Sequence, residues 1–129
     1  MIDRDAPVLY SADLKECVHL ALLSPDHVTA VFTWIVEEAG ATVVRAASHH
    51  FPRTGLTSVL ILTESHAVLH TWPETGTVHL DIFSCSPRLK SLAAIEAIGE
   101  ALGAGEVTVQ EVPRADGHQR IVAACAQRK

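Results

Sequence analysis

Apolar residues recur at helical spacing in two stretches of the chain. Val28, Val31, Phe32, Ile35, Val36 and Ala39 make the first stripe. Ser24 before it suits an N-cap, Pro25 the first helical position, Asp26 the first turn and Gly40 the stop. Leu89, Leu92, Ile95, Ile98 and Leu102 make the second stripe, with Ser86 as cap, Pro87 at the first position and Gly103 as stop. Each predicted helix lies between strand-like runs. Cys17 to Leu23 and Ala41 to Ala47 flank the first, and Val78 to Phe83 and Val107 to Val112 flank the second. The chain therefore reads strand-helix-strand twice, with its Ser-Pro starts 62 positions apart and its glycine stops 63 apart.

Between the two units, Val59-Leu60-Ile61-Leu62 reads as a strand buried on both faces. Pro73-Glu74-Thr75-Gly76 reads as a turn that folds Ala67–Trp72 back on Thr77–Cys85. Asp116-Gly117 is a further turn before a short strand at Ile121–Ala123. These elements predict an α/β (α+β) two-layer sandwich: duplicated strand-helix-strand units and a mainly antiparallel sheet with helices on one face. At 129 residues the expectation is a single domain spanning 1–129.

Composition narrows the class without naming a function. With 48% apolar and 19% charged residues, disorder and collagen-like structure are excluded. Thr63-Glu64-Ser65-His66 interrupts the longest apolar stretch, so no spanning helix is expected, and no secretory leader is visible at the N-terminus. A net charge of −5 without a basic strip argues against nucleic acid as a partner. Cys17, Cys85 and Cys125 form no CxxC pair, so reduced thiols and a cytoplasmic protein are expected, with no membrane partner.

Chemistry-bearing residues crowd one place, Thr63-Glu64-Ser65-His66 and His70-Thr71-Trp72-Pro73-Glu74. Polar groups beside a core strand need partners or work to do. His66 and His70 would form a metal pair on a helix, but here they read as strand, and nothing fixes further ligands. Ser65 activated by His70 across a strand bend is a second possibility, and a set of satisfied polar groups at a sheet end is the third.

The run Thr63-Glu64-Ser65-His66-Ala67-Val68-Leu69-His70-Thr71-Trp72-Pro73-Glu74, followed by Leu80-Asp81-Ile82-Phe83-Ser84-Cys85, resembles the prokaryotic S-adenosylmethionine decarboxylase proenzymes. The resemblance covers the central third of the chain and implies a pyruvoyl-dependent carboxy-lyase. Ser65 would attack the carbonyl of Glu64, and elimination would divide the chain into a 1–64 β chain and a 65–129 α chain. Residue 65 would thereby become the pyruvoyl cofactor, in place of any metal or pyridoxal phosphate. Its ketone would condense with the amine of S-adenosylmethionine and accept electrons as CO2 leaves. His70 matches the processing histidine, Cys85 the proton donor, and Thr57 stands where a serine hydroxyl usually supports processing. Phe51 and Trp72 match aromatics that sandwich adenine, and Glu74 the carboxylate that takes the ribose hydroxyls.

The product would be the aminopropyl donor for spermidine, and the expected assembly is a homodimer of cleaved protomers. Two departures stand out: Ser86 replaces a common glycine after the cysteine, and Leu22-Leu23-Ser24-Pro25 replaces a Gly-Cys-Asp element. The rival expectations are a pyruvoyl arginine or ornithine decarboxylase, and a nucleoside binder that never cleaves. Phe32, Trp34 and Phe83 are expected to serve packing.

Overall fold

The computed structural model describes residues 7–52, 55–86, 89–114 and 120–126. The strands are β1 (Val8–Lys15), β2 (Val43–His50), β3 (Leu56–Leu62), β4 (Ser65–Trp72), β5 (Thr77–Ser84), β6 (Glu106–Pro113) and β7 (Arg120–Ala126), and the helices are α1 (Pro25–Glu38) and α2 (Ser91–Leu102). They form one seven-stranded sheet in the order β2-β3-β4-β5-β1-β6-β7. Every neighbouring pair is antiparallel. β5 and β6, joined through α2, are separated by β1, so the first strand of the chain is inserted into the second strand-helix-strand unit.

α1 forms as its ends predict. The Ser24 side chain accepts a hydrogen bond from the His27 amide, and Pro25 opens the helix. Val28, Phe32, Ile35 and Val36 turn inward. α1 packs on α2, β2 and β3, and α2 packs on β1 and β5, so both helices cover the same side of the sheet. Leu14, Leu60, Leu69, Leu80 and Ile82 from the strands meet Phe32, Ile95 and Ile98 from the helices in one core. Each such buried aliphatic side chain contributes about 1.5–3 kcal/mol relative to exposure.

Four expectations need correction. The second helix starts at Ser91 with Lys90 as its cap, not at Ser86. Ser86 is held in a tight turn instead: its amide donates to Ser84 Oγ, and that hydroxyl donates back to the Ser86 carbonyl. Pro87 lies outside the described residues, whereas the predicted stop holds, with Gly103 at φ 71°, where a side chain would strain the backbone. Cys17–Leu23 is not a strand but a turn leading into a 3-10 helix at Leu20–Leu22. Cys17 and Leu20 are buried while Val18 and Leu22 are exposed, a spacing of three that a strand cannot bury on one face.

Val59–Leu62 is buried on one face only, because helices cover one side of the sheet. Leu60 and Leu62 point into the core, and Ile61 is 48% exposed. Trp34 is exposed at the surface and not part of the packing. The Asp116-Gly117 turn falls outside the described residues, and the expected short tail strand is β7.

Candidate active site

Register places the chemistry on the sheet face that the helices leave open. On β4, Ala67, Leu69 and Thr71 are buried toward the helices, so His66, Val68, His70 and Trp72 line the other face. On β5 the same alternation puts His79, Asp81 and Phe83 there, and on β1 Ser11 and Asp13. Cα partners across the sheet then form rows, of which the most polar is His49, Thr57, His70, His79 and Asp13.

One end of this face gathers most of the predicted residues. Thr57 Oγ1 and His70 Nδ1 are hydrogen-bonded at 2.9 Å, which fixes the imidazole plane. Trp72, two residues beyond His70, is 44% exposed on the same face. Phe51, also 44% exposed, follows β2 and stacks edge-on against His49 at 4.5 Å between centroids. Gly55 lies between the β2 end and Thr71 of β4. A Cβ there would come within 1.6 Å of the Thr71 carbonyl oxygen, so no side chain fits. Phe51 and Trp72 are thus presented from strands about 10 Å apart, with a glycine between them. Glu74 is exposed in the 73–76 turn at the same end.

Glu64, Ser65 and Cys85 occupy the opposite end. Leu62 pairs with Ser65, so Thr63 and Glu64 form a two-residue hairpin tip. Glu64 has φ 64°, in the left-handed region that costs a residue with a Cβ about 1–2 kcal/mol. Ser65 is the first residue of β4, paired with Ser84 of β5, and Cys85 is the next residue in the chain. Cys85 is a free, partly exposed thiol. A cavity of about 140 Å³ opens beside Ser65, lined by Gly40, Thr42, Thr63, Glu64, Ser86 and Leu89 among others. It is far below the size of a nucleoside pocket, which starts near about 300 Å³.

The structure separates a pair that local reading joined. Ser65 is in phase with Ala67 and Leu69, on the helix side, while His70 is on the open side. Five residues of strand put them about 16 Å apart. His70 therefore cannot activate Ser65 of its own chain. A metal pair at His66 and His70 also finds no third ligand, since no cluster of three or more His, Cys, Asp or Glu suited to a metal occurs among the described residues. His66 stacks on Phe83 at 5.4 Å, and the Arg114 guanidinium lies 5.9 Å from that ring's centre. Phe83 thus serves the open face and not the core.

One pair escaped sequence reading. His79 Nδ1 and Asp13 Oδ1 are 2.9 Å apart across β5 and β1, although 66 positions separate them in the chain. Only strand register reveals it.

The fold and site together define a small antiparallel α/β sandwich with a hydroxyl-imidazole-aromatic cluster at one end of its open face and a strained Glu-Ser junction at the other. Residues 9–115 match the family model described as S-adenosylmethionine decarboxylase, and the chain belongs to that family of enzymes. It is 35% identical over 103 residues to the S-adenosylmethionine decarboxylase proenzyme of Acidithiobacillus ferrooxidans, covering 80% of this chain and 77% of that one. The proenzyme of Clostridium tetani is 34% identical over 80% of this chain and 82% of its own. The crystal structure of the adenosylmethionine decarboxylase from Aquifex aeolicus superposes with a TM-score of 0.73 over 84% of this chain and 90% of that one. At 23% identity, that likeness bears on the fold. Among the described residues, no helix is long and apolar enough to cross a membrane.

Proposed function

We propose that this single-domain chain is a pyruvoyl-dependent S-adenosylmethionine decarboxylase that makes its own cofactor by cleavage between Glu64 and Ser65. The observation that carries the reading is the left-handed backbone of Glu64, one bond before the serine. Strain at that position is released when the peptide bond breaks, which favours its replacement by an ester. In the proposed step Ser65 Oγ attacks the Glu64 carbonyl carbon and the Ser65 nitrogen leaves as an amine. Loss of the Ser65 Cα proton then expels the Glu64 carboxylate, and water replaces the nitrogen, which departs as ammonia. The pyruvoyl group so formed would serve as electron sink for decarboxylation. Ser65 at a strand end, beside a small cavity and across from Ser84, whose chain neighbour is Cys85, fits such a group.

The chain's own residues divide the remaining work. His70, oriented by Thr57, holds or moves the proton during processing. Cys85 returns a proton to the substrate carbon. Phe51 and Trp72 clamp adenine from two strands of the same face, and Glu74 accepts hydrogen bonds from the ribose. This aromatic pair favours a nucleoside over free arginine or ornithine, and the product would then supply aminopropyl groups for spermidine.

The distance between the two clusters favours a homodimer. A second copy whose Thr57–His70 end meets the Ser65–Cys85 strand ends of the first would complete the set. Two-fold symmetry then makes two equivalent sites. Ile61, exposed on the open face, gives such an interface an apolar side chain to bury. Free thiols at Cys17 and Cys85 suit the cytoplasm.

Intact mass spectrometry of denatured protein tests the reading. Two chains divided between Glu64 and Ser65, the second lighter by one ammonia than its serine form, together with CO2 release from S-adenosylmethionine, are expected. A permanently single chain, or turnover of arginine or ornithine alone, would overturn it.

A further inference from the structure

The Asp13–His79 pair has no part in the processing or proton-donor chemistry, yet it borders the proposed adenine clamp. His79 is the Cα partner of His70 on one side and of Asp13 on the other. Its ring meets Trp72 edge-on, with centroids 6.5 Å apart and planes inclined at 72°. Both members of the pair are about half exposed, at 48% and 55%. An exposed pair of this kind adds little to folding stability. What it does supply is direction. A carboxylate can only accept, so the hydrogen on His79 must be at Nδ1, donated to Asp13 Oδ1, and the imidazole plane is fixed.

We infer that His79, oriented by Asp13, is a positioning residue that holds the Trp72 indole in its nucleoside-binding orientation. The inference rests on the proposed adenine clamp. A half-exposed indole on an open sheet face has several rotamers available, and one that must stack on a base loses affinity in proportion to the others. The pinned imidazole blocks one edge of the indole and removes some of them. Asp13 acts at one remove, by keeping the imidazole from turning away. Edge-to-face aromatic pairs carry enough energy to change binding about three- to tenfold.

The test uses full-length protein in a Trp34→Phe background, so that Trp72 alone reports. Adenosine is titrated against Trp72 emission. The expected results are an adenosine Kd raised about three- to tenfold by His79→Ala and restored by His79→Phe, which keeps a ring edge in place. With processed enzyme, KM for S-adenosylmethionine should follow the Kd while kcat stays within about twofold. An unchanged Kd in His79→Ala, a Kd in His79→Phe as weak as in His79→Ala, or no adenosine response in the parent would overturn the inference. A parent that neither cleaves nor releases CO2 strikes the proposed function instead, and the adenosine titration still reads the contact.

Discussion

Ser65 and His70 share strand β4 but face opposite sides of the sheet, five residues apart. In the proposed homodimer their cooperation in processing would cross between protomers. Ser65→Ala and His70→Ala should each abolish cleavage alone. Coexpressed, they should regain it, because a mixed dimer holds one intact pairing of Ser65 from one protomer with His70 from the other. Random assortment places half the chains in mixed dimers, so about a quarter of all chains should cleave. Denaturing mass spectrometry reads the fraction, and no cleavage in the mixture would rule out the shared site.

Thr57 Oγ1 holds His70 Nδ1 at 2.9 Å. Thr57→Val keeps the shape and removes the hydroxyl. A lost hydrogen bond of about 1 kcal/mol, with the ring free to turn, should slow cleavage about five- to tenfold. Thr57→Ser should cleave at least as fast as the parent. The time course of chain splitting after refolding gives both rates.

Glu64→Gly removes the Cβ that makes φ 64° costly. Relieving about 1 kcal/mol of strain in the uncut chain should slow cleavage about fivefold without lowering the melting temperature of the precursor. Faster cleavage in the glycine variant would show that strain at this bond is not used.

Gly55→Ala would drive a methyl onto the Thr71 carbonyl and disturb the bond from the Leu56 amide to Thr71 Oγ1. A loss of about 1–3 kcal/mol is expected, seen as a lower denaturation midpoint with an unchanged slope.

Burial pushes the Cys17 thiol up from 9.0 to about 11, while Cys85 is partly exposed. Iodoacetamide at pH 8 should therefore modify Cys85 well before Cys17, and turnover should fall with Cys85 modification, as peptide mapping would show. The sign for stability follows from the same shift. The unfolded thiol ionises first, so the folded state loses stability as pH rises from 9.0 towards about 11. Cys17→Ala should flatten that decline.

Signals that act within a few residues were legible without coordinates. Ser24-Pro25 started α1 as read, the 73–76 turn closed β4 on β5, and the Glu64-Ser65 and His70–Glu74 motifs stood in their register. Caps, prolines and turns work through backbone geometry that the neighbouring residues decide. The tertiary structure decided what depends on layers and register. It buried Leu60 and Leu62 while exposing Ile61, because helices cover one side of the sheet. It paired Asp13 with His79 across β1 and β5, brought Thr57 to His70 across β3 and β4, and drew Ser86 into a turn on Ser84 instead of a helix cap. It also put Ser65 and His70 out of each other's reach. Side chains alternate faces along a strand with period two, but which face meets helix and which stays open is set by elements far away in the chain.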